Sequence, residues 1–190
     1  MAMESPRLLT WIELSRKALR RNIGSLAKLA DGRILAPSVK ANAYGHGLPE
    51  IVRLLEKQRD CEYVTTHSLE EAIACRRAGW SRKIMVLGPL PPDDLSAVLE
   101  DDLEPVICET ATLRKLGRLG DRAGQTVRTH LKLETGTNRQ GLSESDLPGA
   151  AKVYQAHKSL GRPNGASMHF ANIEDTTSHD YAELDRKSVV

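Results

Sequence analysis

Six times along this chain a short apolar run gives way to a longer amphipathic one, and that alternation constrains the fold more than any single residue. The apolar runs cover 34–39, 63–66, 83–88, 104–108, 126–133 and 164–170. The helical patterns cover 48–58, 68 to about 78, 93–100, 110–119 and 147–160, with a last one starting near Ser178. Strands separated by helices cannot close as hairpins, so each returns through a crossover and the sheet is parallel. Units of roughly 20–45 residues without a glycine-rich dinucleotide fingerprint favour a (β/α) barrel over a nucleotide-binding sheet.

Local signals support the same reading. Ser68-Leu69-Glu70-Glu71 is a capping box and marks a helix start. Ser15 is placed to cap a helix running to about Leu29, after a short strand over 10–14. Pro37 lies inside the first apolar run and removes a backbone donor, so irregular pairing is expected there. A closed barrel uses eight strands and about 250 residues. The 190 residues supply about six of eight units. The expected fold class is therefore α/β, a (β/α)8-type barrel left incomplete. Residues 1–190 form one partial barrel domain, without a second domain, and the chain is expected to be a piece of a longer protein.

Composition excludes several function classes. The 27 basic and 25 acidic residues leave a net charge of +2, with no polybasic run, so a nucleic-acid partner is not expected. Cys61, Cys75 and Cys108 lack paired spacing, which argues against a disulfide framework or a metal site and fits a reducing compartment. No apolar stretch reaches membrane length, and Met1-Ala2-Met3-Glu4-Ser5-Pro6 lacks the apolar core of a secretion signal. A cytoplasmic location is the expectation.

Functional groups of a barrel stand just past the carboxyl ends of its strands. Those positions hold Lys40 and Tyr44 after the first strand, Lys132 and Arg139 around the end of the fifth, and His169 at the end of the sixth. A lysine at a buried strand end loses hydration, its pKa falls, and a neutral amine becomes available to condense with a carbonyl. Tyr44 suits a phosphate, Arg139 a phenolate or carboxylate, and His169 the face of an aromatic ring. Each also has an ordinary role. Lys40 and Arg139 suit solvated loops, Tyr44 a turn, His169 a core, and Lys132 a pairing with Glu134. Five polar groups at strand ends of one face are harder to treat as coincidence than any one alone.

The segment Val39-Lys40-Ala41-Asn42-Ala43-Tyr44-Gly45-His46-Gly47 closely resembles the pyridoxal-phosphate attachment motif of alanine racemases. His130-Leu131-Lys132-Leu133-Glu134-Thr135-Gly136-Thr137-Asn138-Arg139-Gln140-Gly141 looks like that family's second signature, and Gly165-Ala166-Ser167-Met168-His169-Phe170-Ala171 like its third. The resemblance extends over essentially the whole chain but only the front half of the family's usual protein. It implies a fold-type III enzyme that interconverts L- and D-alanine for cell-wall precursors, with pyridoxal 5'-phosphate as cofactor and no metal. Lys40 would hold the cofactor as a Schiff base and serve as base on one face of the substrate. Tyr44 would contact the phosphate, Arg139 the phenolate and the substrate carboxylate, and His169 the pyridine ring. Lys132 matches a position that is carbamylated in many members, where the carbamate orients the arginine seven residues on. The partner is an amino-acid substrate, the full-length form a homodimer.

The sequence departs from the pattern at Thr137-Asn138, where Met-Gly is more usual, which leaves serine or a broader substrate range open. Pro37-Ser38 stands where a more apolar pair is common. The family's opposing tyrosine comes from a C-terminal β domain without a counterpart here, so the chain alone is expected to be inactive. The alternatives are a non-catalytic pyridoxal-phosphate-binding module of the single-barrel type and an α/β interaction domain with no cofactor.

Overall fold

A computed structural model describes residues 10–169 of the 190. Five short parallel strands form one sheet in the order β1-β2-β3-β4-β5, with β1 Tyr63–Thr66, β2 Lys83–Val86, β3 Leu103–Ile107, β4 His130–Lys132 and β5 Gly165–Ser167. Sequential order in a parallel sheet requires a crossover at every step. Helices α4 Leu69–Arg77, α5 Ser96–Glu100, α6 Thr110–Ala123 and α7 Leu147–Ala156 supply these crossovers. Upstream lie α1 Arg16–Ala30, the one-turn element α2 Lys40–Tyr44, and α3 Leu48–Leu55. The whole is an arc of parallel strands backed by helices, as the alternation predicts.

The first apolar run joins the arc only through bridges. Leu35 pairs with Cys61 and Ser38 with Thr65, both parallel. Thr65 N–H donates to the Pro37 carbonyl at 2.9 Å and Val39 N–H to the Thr65 carbonyl at 2.8 Å. Pro37 has no N–H to extend the ladder, which accounts for the irregularity expected there. The strand expected over 10–14 does not form. Trp11 and Ile12 are exposed, and the Trp11 indole N–H bonds locally to Glu13 at 2.9 Å. The strand expected over 126–133 shortens to β4, because Val127 N–H donates to the Ser159 carbonyl instead of a neighbouring strand. The Pro91-Pro92 pair is followed by a turn, Asp94 N–H to the Pro91 carbonyl at 3.2 Å, so α5 starts at Ser96. The helix expected from near Ser178 lies outside the described residues.

Val64, Ile84, Val86 and Ile107 of the sheet pack with Val52, Leu55, Ala72, Leu113 and Leu116 of the helices into one core. A polar cluster crosses the arc at the amino ends of the strands. The Glu104 side chain, fully excluded from solvent, accepts from Tyr63 Oη at 3.0 Å, Arg128 Nε at 2.9 Å and His130 Nε2 at 2.8 Å. Arg82 closes the adjacent helix end, donating to the carbonyls of Leu55, Glu56, Gln58 and Cys61 just past α3. No helix among the described residues is long and apolar enough to cross a membrane.

Candidate active site

The site is built at the carboxyl end of the strands, beginning with an unusual piece of backbone. Ala41, Asn42, Ala43 and Tyr44 all have φ between 51° and 54°, so α2 is a left-handed turn made without glycine. L-residues avoid this conformation because Cβ crowds the following carbonyl, by roughly 1–2 kcal/mol per residue. Local bonds hold the turn. Ala43 N–H donates to the Val39 carbonyl at 2.8 Å, Gly47 N–H to the Asn42 carbonyl at 3.0 Å, and Leu48 N–H to Asn42 Oδ1 at 2.7 Å. Gly45 extends the left-handed path at φ 85°, where glycine has no Cβ to clash. Lys40 is the first residue of this turn and is half-buried, less deep than the strand-end position predicts. Its Nζ stands 6.0 Å from the centroid of the Tyr44 ring, which is mostly exposed.

The second contribution is the loop after β4. Its ends are clamped by Glu134 N–H on the Leu142 carbonyl at 2.9 Å and Leu142 N–H on the Lys132 carbonyl at 2.7 Å. The Glu134 carboxylate turns back into its own loop, accepting from Gly136 N–H at 2.6 Å and Asn138 N–H at 3.0 Å, and from the Thr137 hydroxyl. The Asn138 bond leads the causes that hold its pKa below the ordinary carboxylate value. Gln140 Nε2 ties the loop to the end of β2 through the Leu87 carbonyl at 3.1 Å. At Gly141 the φ is 142°, and a Cβ would sit 2.7 Å from the Glu134 backbone nitrogen. Gly141→Ala is expected to lower stability by about 1–3 kcal/mol, read from urea unfolding, and to loosen the Arg139 loop.

Lys132 is buried, and its ammonium nitrogen contacts His169 Nδ1. It makes no hydrogen bond or ion pair with Glu134, the carboxylate suggested by sequence. Burial first, then the Arg139 charge, pushes its pKa below the ordinary 10.5. The His169 pKa is also pushed down, by burial and then by the charges of Lys132, Arg139 and Lys40. The shift leaves the ring less inclined to take a proton than an ordinary histidine. Lys40, Lys132, Arg139 and His169 therefore share one electrostatic neighbourhood, with Tyr44 at its rim. Thr135 Oγ1 donates to the His169 carbonyl at 2.8 Å, which links the loop to the segment after β5.

Sequence reasoning brought these five residues to one end of the strands but missed their supports. Glu134 reads from the sequence as a pairing partner for Lys132, whereas its work is to fold the loop that carries Arg139. Cys108, at the end of β3, has its thiol pKa raised by burial and feels the Lys132 charge. It borders a cavity of about 400 Å³ shared with Leu90, Thr112, Arg139 and Gln140. A concavity of about 550 Å³ beside Gly120, Thr126 and Ser159 lies at the opposite end of the strands and holds none of the five. The buried Ser38 hydroxyl, two residues before Lys40, has no partner.

The arrangement offers an amine, a guanidinium, a phenol and an imidazole, and no carboxylate among the described residues forms an ion pair with Lys40, Lys132 or Arg139. It suits an anionic ligand with a carbonyl. The alanine racemase N-terminal domain family matches residues 14–189. An alanine racemase of Shewanella piezotolerans is 31% identical over 175 residues, which is 92% of this chain and 48% of that protein. The solved alanine racemase of a D-cycloserine-producing Streptomyces lavendulae is 30% identical with a TM-score of 0.79, over 91% of this chain and 45% of that one. The histidine racemase of Leuconostoc mesenteroides is 26% identical with a TM-score of 0.81, over 96% and 49%. This chain spans about half the length of each of these three proteins.

Proposed function

The chain belongs to the alanine racemase family through its N-terminal domain, and we propose that it carries the half of the racemase site that binds the cofactor and serves one face of the substrate. Members of this family are pyridoxal-phosphate enzymes. The fold likeness to racemases supports the isomerase class, and the convergence of Lys40, Arg139, Lys132 and His169 carries the reading.

The residues present fit pyridoxal phosphate. Lys40 supplies the amine for the cofactor aldehyde. Tyr44, exposed beside it, is placed for the phosphate. The Arg139 guanidinium would bind the phenolate and lie beside the substrate carboxylate. His169 suits the face of the pyridine ring. When bound, the cofactor supplies the electron sink that makes the α-hydrogen acidic. Lys40 Nζ then takes or returns that hydrogen on one face. Lys132, with its lowered pKa, has a larger neutral fraction available for reaction with carbon dioxide than an ordinary lysine. As a carbamate it becomes an anion beside Arg139, which fixes the guanidinium.

Alanine is the proposed substrate. The likeness to a histidine racemase keeps a wider amino-acid range within the same reading. We place the protein in the cytoplasm, supplying D-alanine for the cell wall. The full-length form acts as a homodimer, an association supported by the exposed Trp11, Ile12 and Leu29. The chain alone is proposed to bind cofactor without racemising.

Borohydride reduction of the chain with pyridoxal phosphate tests the central point. The expected result is one stable phosphopyridoxyl group, mapped to the Lys40 peptide and lost in Lys40→Ala. Equal labelling of scattered lysines would refute the assignment. Specific labelling without exchange of any substrate α-hydrogen would favour the non-catalytic binding module.

A further inference from the structure

We propose that Glu71 is a positioning residue for Lys40, an inference that rests on Lys40 as the attachment point and adds a carboxylate to the site from another helix. Glu71 occupies the third position of α4 and completes the capping box with Ser68. One of its oxygens suffices for that task. Oε2 accepts from His67 N–H at 2.7 Å and Ser68 N–H at 3.4 Å, while Glu71 N–H donates to Ser68 Oγ at 3.3 Å. Oε1 reaches out of the helix and accepts from Ala41 N–H at 2.6 Å, across thirty positions of sequence.

The acceptor choice matters because of which peptide it fixes. The Ala41 N–H belongs to the peptide unit that begins at the Lys40 carbonyl. A rigid peptide plane there sets Lys40 ψ, and with it the direction in which the lysine leaves the backbone. Ala41 is also the first residue of α2 with a positive φ, at 51°. Two nearby donors are satisfied within the bridge and the turn, Val39 N–H by Thr65 and Ala43 N–H by Val39. Ala41 N–H finds its acceptor on Glu71. A charge-assisted bond at this point is stronger than a neutral one and offsets part of the strain of entering the turn. The β1–α4 corner therefore aims Lys40, and an ordinary helix cap doubles as a brace for the site.

Two variants separate the brace from the cap. In Glu71→Gln the amide oxygen can accept on one side only, and the NH2 faces a backbone donor. In Ser68→Ala the capping hydroxyl is lost but the carboxylate bridge to Ala41 is kept. We expect Glu71→Gln to slow borohydride-trappable labelling of Lys40 by about tenfold and to speed amide hydrogen exchange at Ala41 by about tenfold. Ser68→Ala, compared at equal distance below its own melting temperature, should label and exchange at Ala41 like the wild type. Unchanged labelling or unchanged Ala41 exchange in Glu71→Gln overturns the role of Glu71. So does an equal effect of Ser68→Ala, which would reduce the contact to helix capping. A wild-type chain that takes no label at Lys40 overturns the attachment reading itself, and the Ala41 exchange still reports separately on the brace.

Discussion

Glu104→Ala is expected to lower the unfolding free energy by about 3–5 kcal/mol, as removal of one partner from a buried charge cluster does. That is a large share of the roughly 5–15 kcal/mol by which a domain is stable. The carboxylate is wholly buried, and its loss leaves Arg128 Nε, His130 Nε2 and the Tyr63 hydroxyl without their shared acceptor. Urea unfolding of the variant measures the effect, and a loss under about 1 kcal/mol would show that solvent reaches the cluster. The same group gives acid sensitivity. Burial alone would raise its pKa, but hydrogen bonds from His130, Tyr63 and Arg128 prevail and hold it at about 2 against an ordinary 4.5. A carboxyl depressed on folding stabilises the native state above its unfolded pKa. Its contribution, about 3 kcal/mol from the size of the shift, is full above pH 4.5 and drains away as pH falls toward about 2. Wild type should therefore lose stability through that window, and Glu104→Ala should show a flatter profile.

The chain by itself, loaded with pyridoxal phosphate, is expected to racemise alanine at least roughly a hundredfold more slowly than a complete relative, and up to about ten-thousandfold. Inversion at a carbon needs hydrogen removed from one face and delivered to the other. On the proposed reading Lys40 serves one face, and the groups gathered near it bind or orient instead. His169 has its pKa lowered by burial and by the charges of Lys132, Arg139 and Lys40, and Tyr44 shares the side of Lys40. The measurement is paired. In deuterated water the loaded chain should exchange the α-hydrogen of one alanine enantiomer with retention, while chiral analysis finds almost no inversion. Inversion at the pace of a complete enzyme would mean that a second proton-handling group lies within these 190 residues.

The sequence showed the parallel arc because each crossover unit repeats one pattern, and β1 came out with its observed limits. The capping box was equally readable, since Ser68 and Glu71 sit at the spacing the motif demands. What could not be read was anything fixed by tertiary partners. Lys-Ala-Asn-Ala-Tyr has the composition of an ordinary right-handed helix, and the bond that ties its reversed turn to Glu71, thirty positions on, is one that no local pattern records. Lys132 was a lysine with a carboxylate two residues away, yet the Leu133–Leu142 bridge turns Glu134 into the loop and leaves the amine to His169. The run 126–133 alternates well enough for a longer strand, but Val127 N–H goes to the Ser159 carbonyl.

The turn of reversed hand after Lys40 has a consequence for how the protein fails. Four crowded residues concentrate on the order of 5 kcal/mol of local stress, comparable with the stability of a whole domain. Such a spring stays wound only while its surroundings clamp it. On warming, it should let go while the surrounding scaffold is still intact, so that the proposed cofactor capture at Lys40 is lost well below the temperature at which the helices melt.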